Sequence, residues 1–133
     1  MTPDVRRDLS ADAVSPARAR IIVRRMLDIW DADDVKLVEL LTSELVTNAV
    51  RHAATAIVLT VAAEASTVRV EVSDLDPHLP SMCANPGIGG YGLRIVDGLA
   101  TRWGVEQRPN DGKTVWFEIE LTGREGETAG ATG

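Results

Sequence analysis

The strongest constraint on the fold comes from two adjacent segments in the middle of the chain. AIVLTVAA, from Ala56 to Ala63, is β-branched and apolar, and TVRVEVSD, from Thr67 to Asp74, alternates apolar with polar residues. Both patterns are typical of β-strands. The turn from Glu64 to Ser66 is so short that we expect the two strands to form a hairpin.

Helical periodicity precedes this hairpin. Ser15, followed by a proline, has the residue type preferred at a helix cap. Apolar residues then recur at helical spacing, which predicts a helix from Ser15 to about Trp30. Asp33 and Asp34 predict the cap of a second helix that ends near Ala53.

The remainder of the chain supplies further elements. A third helix is predicted in YGLRIVDGLA, two more strands are predicted in WGVEQRP and TVWFEIEL, and we interpret Val5 to Leu9 as an edge strand. This order predicts an α+β two-layer sandwich, in which helices cover one face of a mostly antiparallel sheet. We expect one domain over residues 1–121 and a disordered tail over residues 122–133.

Composition and charge exclude several classes of protein. The chain of 133 residues has a formal net charge of -6, which argues against a nucleic-acid-binding surface. Its single cysteine, Cys83, has no partner for an internal disulfide. The chain contains no run of about 18 apolar residues that would predict a membrane span. We therefore expect a cytoplasmic protein with neither a nucleic-acid nor a membrane partner.

The second predicted helix changes character along one side. At about 100° per residue, apolar positions early in this helix lie on nearly the same side as later polar ones. The positions are Leu37, Leu40 and Leu41, followed by Glu44, Asn48 and Arg51. A polar group buried without a partner costs roughly 1–3 kcal/mol. Two interpretations stay open: the later residues line a cleft, or long polar side chains extend from the core edge into solvent.

A glycine-rich segment leads into the third predicted helix. Residues Gly87 to Leu93 read GIGGYGL. Glycines let backbone N–H groups approach an anion, and a helix N-terminus adds partial positive charge, so this segment is a candidate phosphate site; a simple turn is the alternative. Asp74, which precedes a long loop from Leu75 to Gly90, is either an acceptor for an exocyclic amine or a cap of the turn.

Four segments together resemble the GHKL ATPase and kinase superfamily. They are SELVTNAVRHA from Ser43 to Ala53, the strand end VEVSDLDP, the stretch GGYGLRIVDGLA and the terminal GKTVWFE. Within that superfamily the chain resembles the small anti-sigma factor serine/threonine kinases, especially their actinobacterial relatives. The resemblance covers the chain from about Leu9 to Leu121.

The resemblance implies roles for three side chains in the helix and the strand end. Asn48 would hold a magnesium ion that bridges the phosphates of ATP. Glu44, one turn earlier, would be the catalytic general base that takes the proton from an attacking serine hydroxyl. Asp74 would accept a hydrogen bond from the adenine amino group. These roles suit phosphoryl transfer, which depends on positioning and charge neutralisation, and magnesium, which keeps few protein ligands.

The resemblance also implies what surrounds the two ends of the nucleotide. Gly90, Gly92 and the Leu93 backbone would enclose the phosphates beneath a lid formed by the preceding loop. Thr114 would lie beside the adenine on the last strand. ATP and Mg²⁺ are therefore the expected cofactors.

One segment departs from the family pattern. The family usually has glycine two positions after its adenine aspartate, whereas here the sequence is Asp74-Leu75-Asp76-Pro77-His78. An added carboxylate near the nucleotide would loosen binding, and it would repel phosphate if it pointed inward. We expect ATP binding to survive this change, and its main consequence to fall on catalytic turnover.

The function implied by the resemblance is that of an anti-sigma factor. Such a protein holds a sigma factor and phosphorylates a small antagonist protein on serine or threonine. A homodimer through the first helix, with Ile21 and Val23 in the interface, stays open. One alternative is a regulatory binder, with or without nucleotide, that has no kinase activity. The others are half of a split histidine kinase, disfavoured because no dimerisation helix with a phosphorylatable histidine is seen, and an α/β domain without a ligand.

Overall fold

The computed structural model describes residues 1–52, 55–78, 92–108 and 112–123. Its helices are α1 (Ser15–Met26), α2 (Ala32–His52) and α3 (Gly92–Leu99), and its strands are β1 (Val5–Leu9), β2 (Ile57–Glu64), β3 (Thr67–Asp74), β4 (Arg102–Arg108) and β5 (Gly112–Glu120). Within these ranges no helix is long and apolar enough to cross a membrane.

The strands form a single antiparallel sheet in the order β1-β2-β3-β5-β4. The predicted hairpin is β2–β3, and its turn places Ala65 at a φ of 54°. The predicted edge strand is confirmed as β1, which pairs with β2. Because β5 lies between β3 and β4, the end of β3 lies against the start of β5, and Asp74 is directly opposite Lys113.

Alternation along the strands gives the sheet two unlike sides. One side faces the helices and is apolar, and we call it the helix-facing side. The other, which we call the outer side, carries mostly polar residues. On β3 the helix-facing residues are Val68, Val70, Val72 and Asp74, and the outer residues are Arg69, Glu71 and Ser73. The core fills the space between α2 and the helix-facing side, so the two-layer α+β arrangement is confirmed.

The first helix is shorter than its periodicity predicted. It ends at Met26, because Leu27 leaves helical geometry with φ of -106° and ψ of 26°. The Trp30 N–H then donates to the Leu27 carbonyl over 3.0 Å. Both Leu27 and Trp30 still face the core, which explains why their spacing imitated a further turn of helix.

The predicted helix caps are also wrong in detail. Ser15 lies inside α1, and its hydroxyl donates to a carbonyl oxygen outside the helix. The Asp12 carboxylate instead accepts from the Val14 N–H over 3.0 Å. At α2, Asp31 accepts from the Asp33 N–H over 3.1 Å, so Asp33 lies in the first turn, where its charge suits the helix dipole.

Two described residues beyond the boundary predicted at residue 121 form hydrogen bonds near the start of α2. The N–H and the hydroxyl of Thr122 both donate to the Asp34 carboxylate over 2.8 Å. The Asp31 N–H donates to the Gly123 carbonyl over 2.9 Å. These bonds fasten the end of the sheet to the start of α2. The rest of the predicted tail, residues 124–133, lies outside the described residues.

The two residues named for a dimer interface lie in unlike surroundings. Val23 is fully buried beneath α1 and belongs to the core. Ile21 is 42% exposed. A contact between copies through α1 would therefore use Ile21 and not Val23.

Candidate functional site

The polar pair predicted on the second helix lies on α2, one turn apart. Glu44 and Asn48 are both half-buried and lie at the edge of the core, beside the buried residues Leu45 and Ala49. Among the described residues, neither side chain has a hydrogen-bond or ion-pair partner. The carboxylate and the carboxamide are therefore free to bind a ligand beside the helix.

Asp74, the predicted adenine acceptor, is at the helix-facing end of β3 and already has donors. The Lys113 ammonium lies 3.1 Å from its Oδ1, and the Asp76 N–H donates to the same oxygen over 2.8 Å. Lys113 also donates to the Asp76 carbonyl over 3.0 Å. Asp74 and Lys113 are each only 4% exposed, so this ion pair is shielded from solvent.

The close approach of β5 to the end of β3 depends on Gly112. This residue has a φ of 93°, a conformation that L-residues rarely adopt. A Cβ placed on it would lie 1.9 Å from the Asp74 carbonyl oxygen. Only glycine therefore lets the next residue, Lys113, reach Asp74 from the neighbouring strand.

The turn that replaces the family's glycines is held by its own side chains. The Asp76 carboxylate accepts from the His78 N–H over 3.0 Å and lies 2.6 Å from His78 Nδ1. These hydrogen bonds from His78, the backbone one first, hold the pKa of Asp76 below its usual value. The extra carboxylate expected to disturb the nucleotide is thus directed to His78.

Thr114 lies on the other side of the sheet from Asp74. Its hydroxyl is 2.7 Å from that of Ser73, its partner across the ladder on the outer side. The residue that β5 presents to Asp74 is Lys113, which our sequence analysis missed. Strict alternation from Phe117, a core residue, would have placed Lys113 on the helix-facing side and Thr114 on the outer side.

The phosphate end of the predicted site is described in part. Leu93 is buried in the first turn of α3, which starts at Gly92 and packs against α2. The first N–H groups of a helix have no acceptor within it, so they suit an anion. Trp103 fixes α3 to β4, because its indole N–H donates to Asp97 over 2.8 Å. Gly90 and the predicted lid lie outside the described residues.

The described residues suit ATP and magnesium at one end of the site and not at the other. Within the described residues no group of three or more histidine, cysteine, aspartate or glutamate side chains is placed to hold a metal ion. A free carboxamide such as Asn48 nevertheless suits Mg²⁺, which prefers oxygen ligands and keeps several waters. The phosphate end therefore fits, whereas the acceptor at the adenine end, Asp74, is occupied by Lys113.

The two-layer fold is that of an ATPase domain of the GHKL type. The chain belongs to the histidine kinase-like ATPase domain family, whose model matches residues 9–119. Among characterised folds it is similar to the structure of the RsbU and RsbW domains of Rv1364c from Mycobacterium tuberculosis. That match has a TM-score of 0.71 and 22% identity, and it covers 92% of this chain and 33% of the other.

The chain is also similar to another solved structure and, over a short segment, to a further protein. A blue-light-activated histidine kinase of Erythrobacter litoralis matches with a TM-score of 0.56 and 22% identity, over 79% of this chain and 40% of that one. An uncharacterized protein of Streptomyces coelicolor is 48% identical over 44 residues, which make up 30% of this chain and 42% of the relative. At 22% identity the structural matches establish the fold alone.

Proposed function

We propose that this protein binds Mg²⁺–ATP between α2, the start of α3 and the end of β3, and that it is a serine/threonine kinase and anti-sigma factor. In this proposal it holds a sigma factor in the cytoplasm and phosphorylates a small antagonist of that interaction. The membership in the histidine kinase-like ATPase family supports nucleotide binding. The RsbW domain in a similar structure supports the narrower role.

The observation that carries the proposal is the unpartnered polar pair on α2. Glu44 and Asn48 lose part of their hydration where they lie, and in the described structure no protein group replaces it. Half-buried polar groups without partners cost free energy. A ligand that supplies a metal ion and a hydroxyl would compensate that cost, which is the arrangement that phosphoryl transfer needs.

Each residue then has one task. Asn48 would hold the magnesium ion through its carboxamide oxygen, and that ion would neutralise phosphate charge. Glu44 accepts the proton of the attacking hydroxyl. Gly90, Gly92 and the Leu93 backbone would supply N–H donors to the phosphates. Asp74 receives the adenine amino group. Thr114 would support this end of β5 from the outer side, where its hydroxyl lies 2.7 Å from that of Ser73.

Calorimetry with ATP, in the presence and absence of magnesium, tests the binding step. We expect magnesium-dependent binding by the wild type and a loss of at least about tenfold in affinity for Asn48→Ala, since one metal ligand disappears. Thr47→Ala is the matched control, because Thr47 is a half-buried polar neighbour on the same helix. Equal affinities for Asn48→Ala and Thr47→Ala would remove Asn48 from the site.

Transfer of radiolabelled phosphate from ATP to candidate antagonist proteins tests the kinase step. Glu44→Gln keeps the shape of the side chain and removes the base, so we expect ATP binding without transfer. Full transfer by Glu44→Gln would exclude this residue as the base.

A regulator without kinase activity is the second candidate. The Asp74–Lys113 ion pair favours it, because this pair takes up the acceptor intended for adenine. Binding of a sigma factor or an antagonist by the wild type, with no detectable affinity for ATP, would support this alternative.

A further inference from the structure

We propose that Lys113 controls access of the nucleotide base to Asp74, so that the base binds only after the Lys113 ammonium has left the carboxylate. The inference rests on the proposed function, since it concerns the same nucleotide site. It assigns to this chain a specificity-determining residue that weakens nucleotide binding and sets when the site is available.

Two donors already share one carboxylate oxygen of Asp74. Asp74 Oδ1 accepts from Lys113 over 3.1 Å and from the Asp76 N–H over 2.8 Å. An exocyclic amine is a donor of the same kind as an ammonium group, but it is neutral. Hydrogen bonds to a charged donor are about twice as strong as neutral ones, so the ammonium competes effectively for the carboxylate.

Burial of the ion pair also restricts the approach of a base. The side chains of Lys113 and Asp74 are 4% and 2% exposed. A base can therefore reach very little of the carboxylate surface while Lys113 is in place. Admission of the base requires either that Lys113 moves or that the turn after Asp74 opens.

The turn after Asp74 is held by hydrogen bonds to three other segments of the chain. Lys113 donates to the Asp76 carbonyl over 3.0 Å, and Gln107 of β4 donates to the Pro77 carbonyl over 2.6 Å. The Leu75 N–H donates to the Thr55 hydroxyl over 3.1 Å. Opening the turn breaks several bonds at once, whereas moving Lys113 breaks only its own two. Lys113 is therefore the element that must yield.

Replacement of Lys113 by methionine, which has a similar length and no charge, tests the proposal. In Lys113→Met the Asp74 carboxylate has lost its ammonium partner, and the amino group of adenine replaces it. We expect Lys113→Met to bind Mg²⁺–ATP about tenfold more tightly than the wild type, a difference of about 1.4 kcal/mol. Lys36→Met is the matched control, because Lys36 is the other of the chain's two lysines and is exposed on α2.

The outcomes of this calorimetric comparison are distinct. Tighter binding by Lys113→Met alone supports the proposal, as does binding by this variant when the wild type binds nothing. If the wild type binds and Lys113→Met binds equally or more weakly, the inference is overturned while the proposed function stands. If neither protein binds ATP, the proposed function fails and this inference fails with it.

A second measurement uses the wild type and does not depend on the folding of a variant. Acetylation by an N-hydroxysuccinimide ester, followed by mass spectrometry, reports the reactivity of Lys113 and Lys36 separately. Without nucleotide we expect Lys36 to react and Lys113 to be protected by burial. With saturating Mg²⁺–ATP we expect the reactivity of Lys113 to rise and that of Lys36 to stay constant. An unchanged or lower rate at Lys113 contradicts its displacement.

Discussion

The two sides of the same sheet handle charge in opposite ways. The helix-facing side carries the isolated ion pair Asp74–Lys113, which is almost fully buried. The outer side carries a network in which Glu118 accepts from Arg69 over 3.0 Å and from Arg102 over 2.7 Å. The Arg102 side chain is 52% exposed. The helix-facing side therefore has one almost fully buried pair, whereas the outer side has a network that is partly exposed to solvent.

The difference follows from the surroundings of the charges. A buried pair has already lost its hydration, so its two members depend on each other, and removing one leaves an uncompensated charge. An exposed pair can exchange its partner for water at little cost. The N···O distances in the two kinds of pair are similar, but losing one partner costs more free energy in the buried pair than in the exposed one. The buried ion pair on the helix-facing side is therefore costly to form, and we connect that cost with the proposed nucleotide site.

The largest expected effect is on the buried pair in the absence of nucleotide. Lys113→Met should lower the free energy of unfolding by about 3–5 kcal/mol, because the Asp74 charge stays buried without its partner. Arg102→Met on the outer side should have a far smaller effect, since water replaces the guanidinium. Urea denaturation of both variants measures the difference.

A double variant sharpens this test. Asp74→Leu combined with Lys113→Met removes both charges, and we expect it to recover most of the lost stability. Equal losses for Lys113→Met and Arg102→Met would mean that burial does not separate the two sides.

Two glycines of the sheet offer the next comparison. Gly112→Ala should destabilise the protein by about 2–4 kcal/mol, because it combines a positive φ with a backbone clash. Gly104 lies beneath Trp116, and a Cβ there would lie 2.9 Å from Cζ2 of that indole. A side chain can shift where a backbone carbonyl cannot, so Gly104→Ala should cost only about 1 kcal/mol.

The fluorescence of the tryptophans distinguishes the two glycine variants. The Arg69 guanidinium also lies over the Trp116 ring, with its central carbon 4.0 Å from the ring centroid. Gly104→Ala should displace the ring and change the emission, whereas Gly112→Ala should act without moving Trp116. A larger loss of stability for Gly104→Ala than for Gly112→Ala would reverse the expected order.

Local patterns in the sequence were sufficient for most of the fold. Alternation in β3 and the apolar run in β2 predict a hairpin, and the structure confirms it as the antiparallel pair β2–β3. The end of α1 was wrong, because Leu27 and Trp30 reach the core from a turn that keeps helical spacing. The cap of α2 was assigned to Asp33 although Asp31 accepts the hydrogen bond, a shift that propensity alone does not resolve.

The site was predictable only where its residues are close in the chain. Glu44 and Asn48 are one turn apart on a single helix, so periodicity places them together. Lys113 and Asp74 meet because β5 inserts beside β3, and that pairing depends on the whole topology of the sheet. The family motif points to Thr114, whereas the alternation of β5 puts this residue on the outer side and Lys113 opposite Asp74.

The smallest expected effect concerns the outer network and its dependence on pH. The hydrogen bond from Arg102, opposed by partial burial and assisted by Arg69, holds the pKa of Glu118 below its ordinary value of 4.5. A group whose pKa is lowered in the folded state contributes stability above its unfolded pKa, and that stability is lost as the pH falls through the folded pKa. The free energy of unfolding should therefore decline below about pH 4.5, and Glu118→Gln should make the decline shallower.

Salt then separates the outer network from the buried pair. Raising the ionic strength screens exposed charges more than buried ones. Between low and high salt, we expect the destabilisation by Glu118→Gln at neutral pH to shrink and that by Lys113→Met to persist. Urea midpoints at two salt concentrations measure both effects. If the two variants respond to salt alike, then Asp74 and Lys113 are in contact with solvent. A base would then not need to displace Lys113 to reach Asp74.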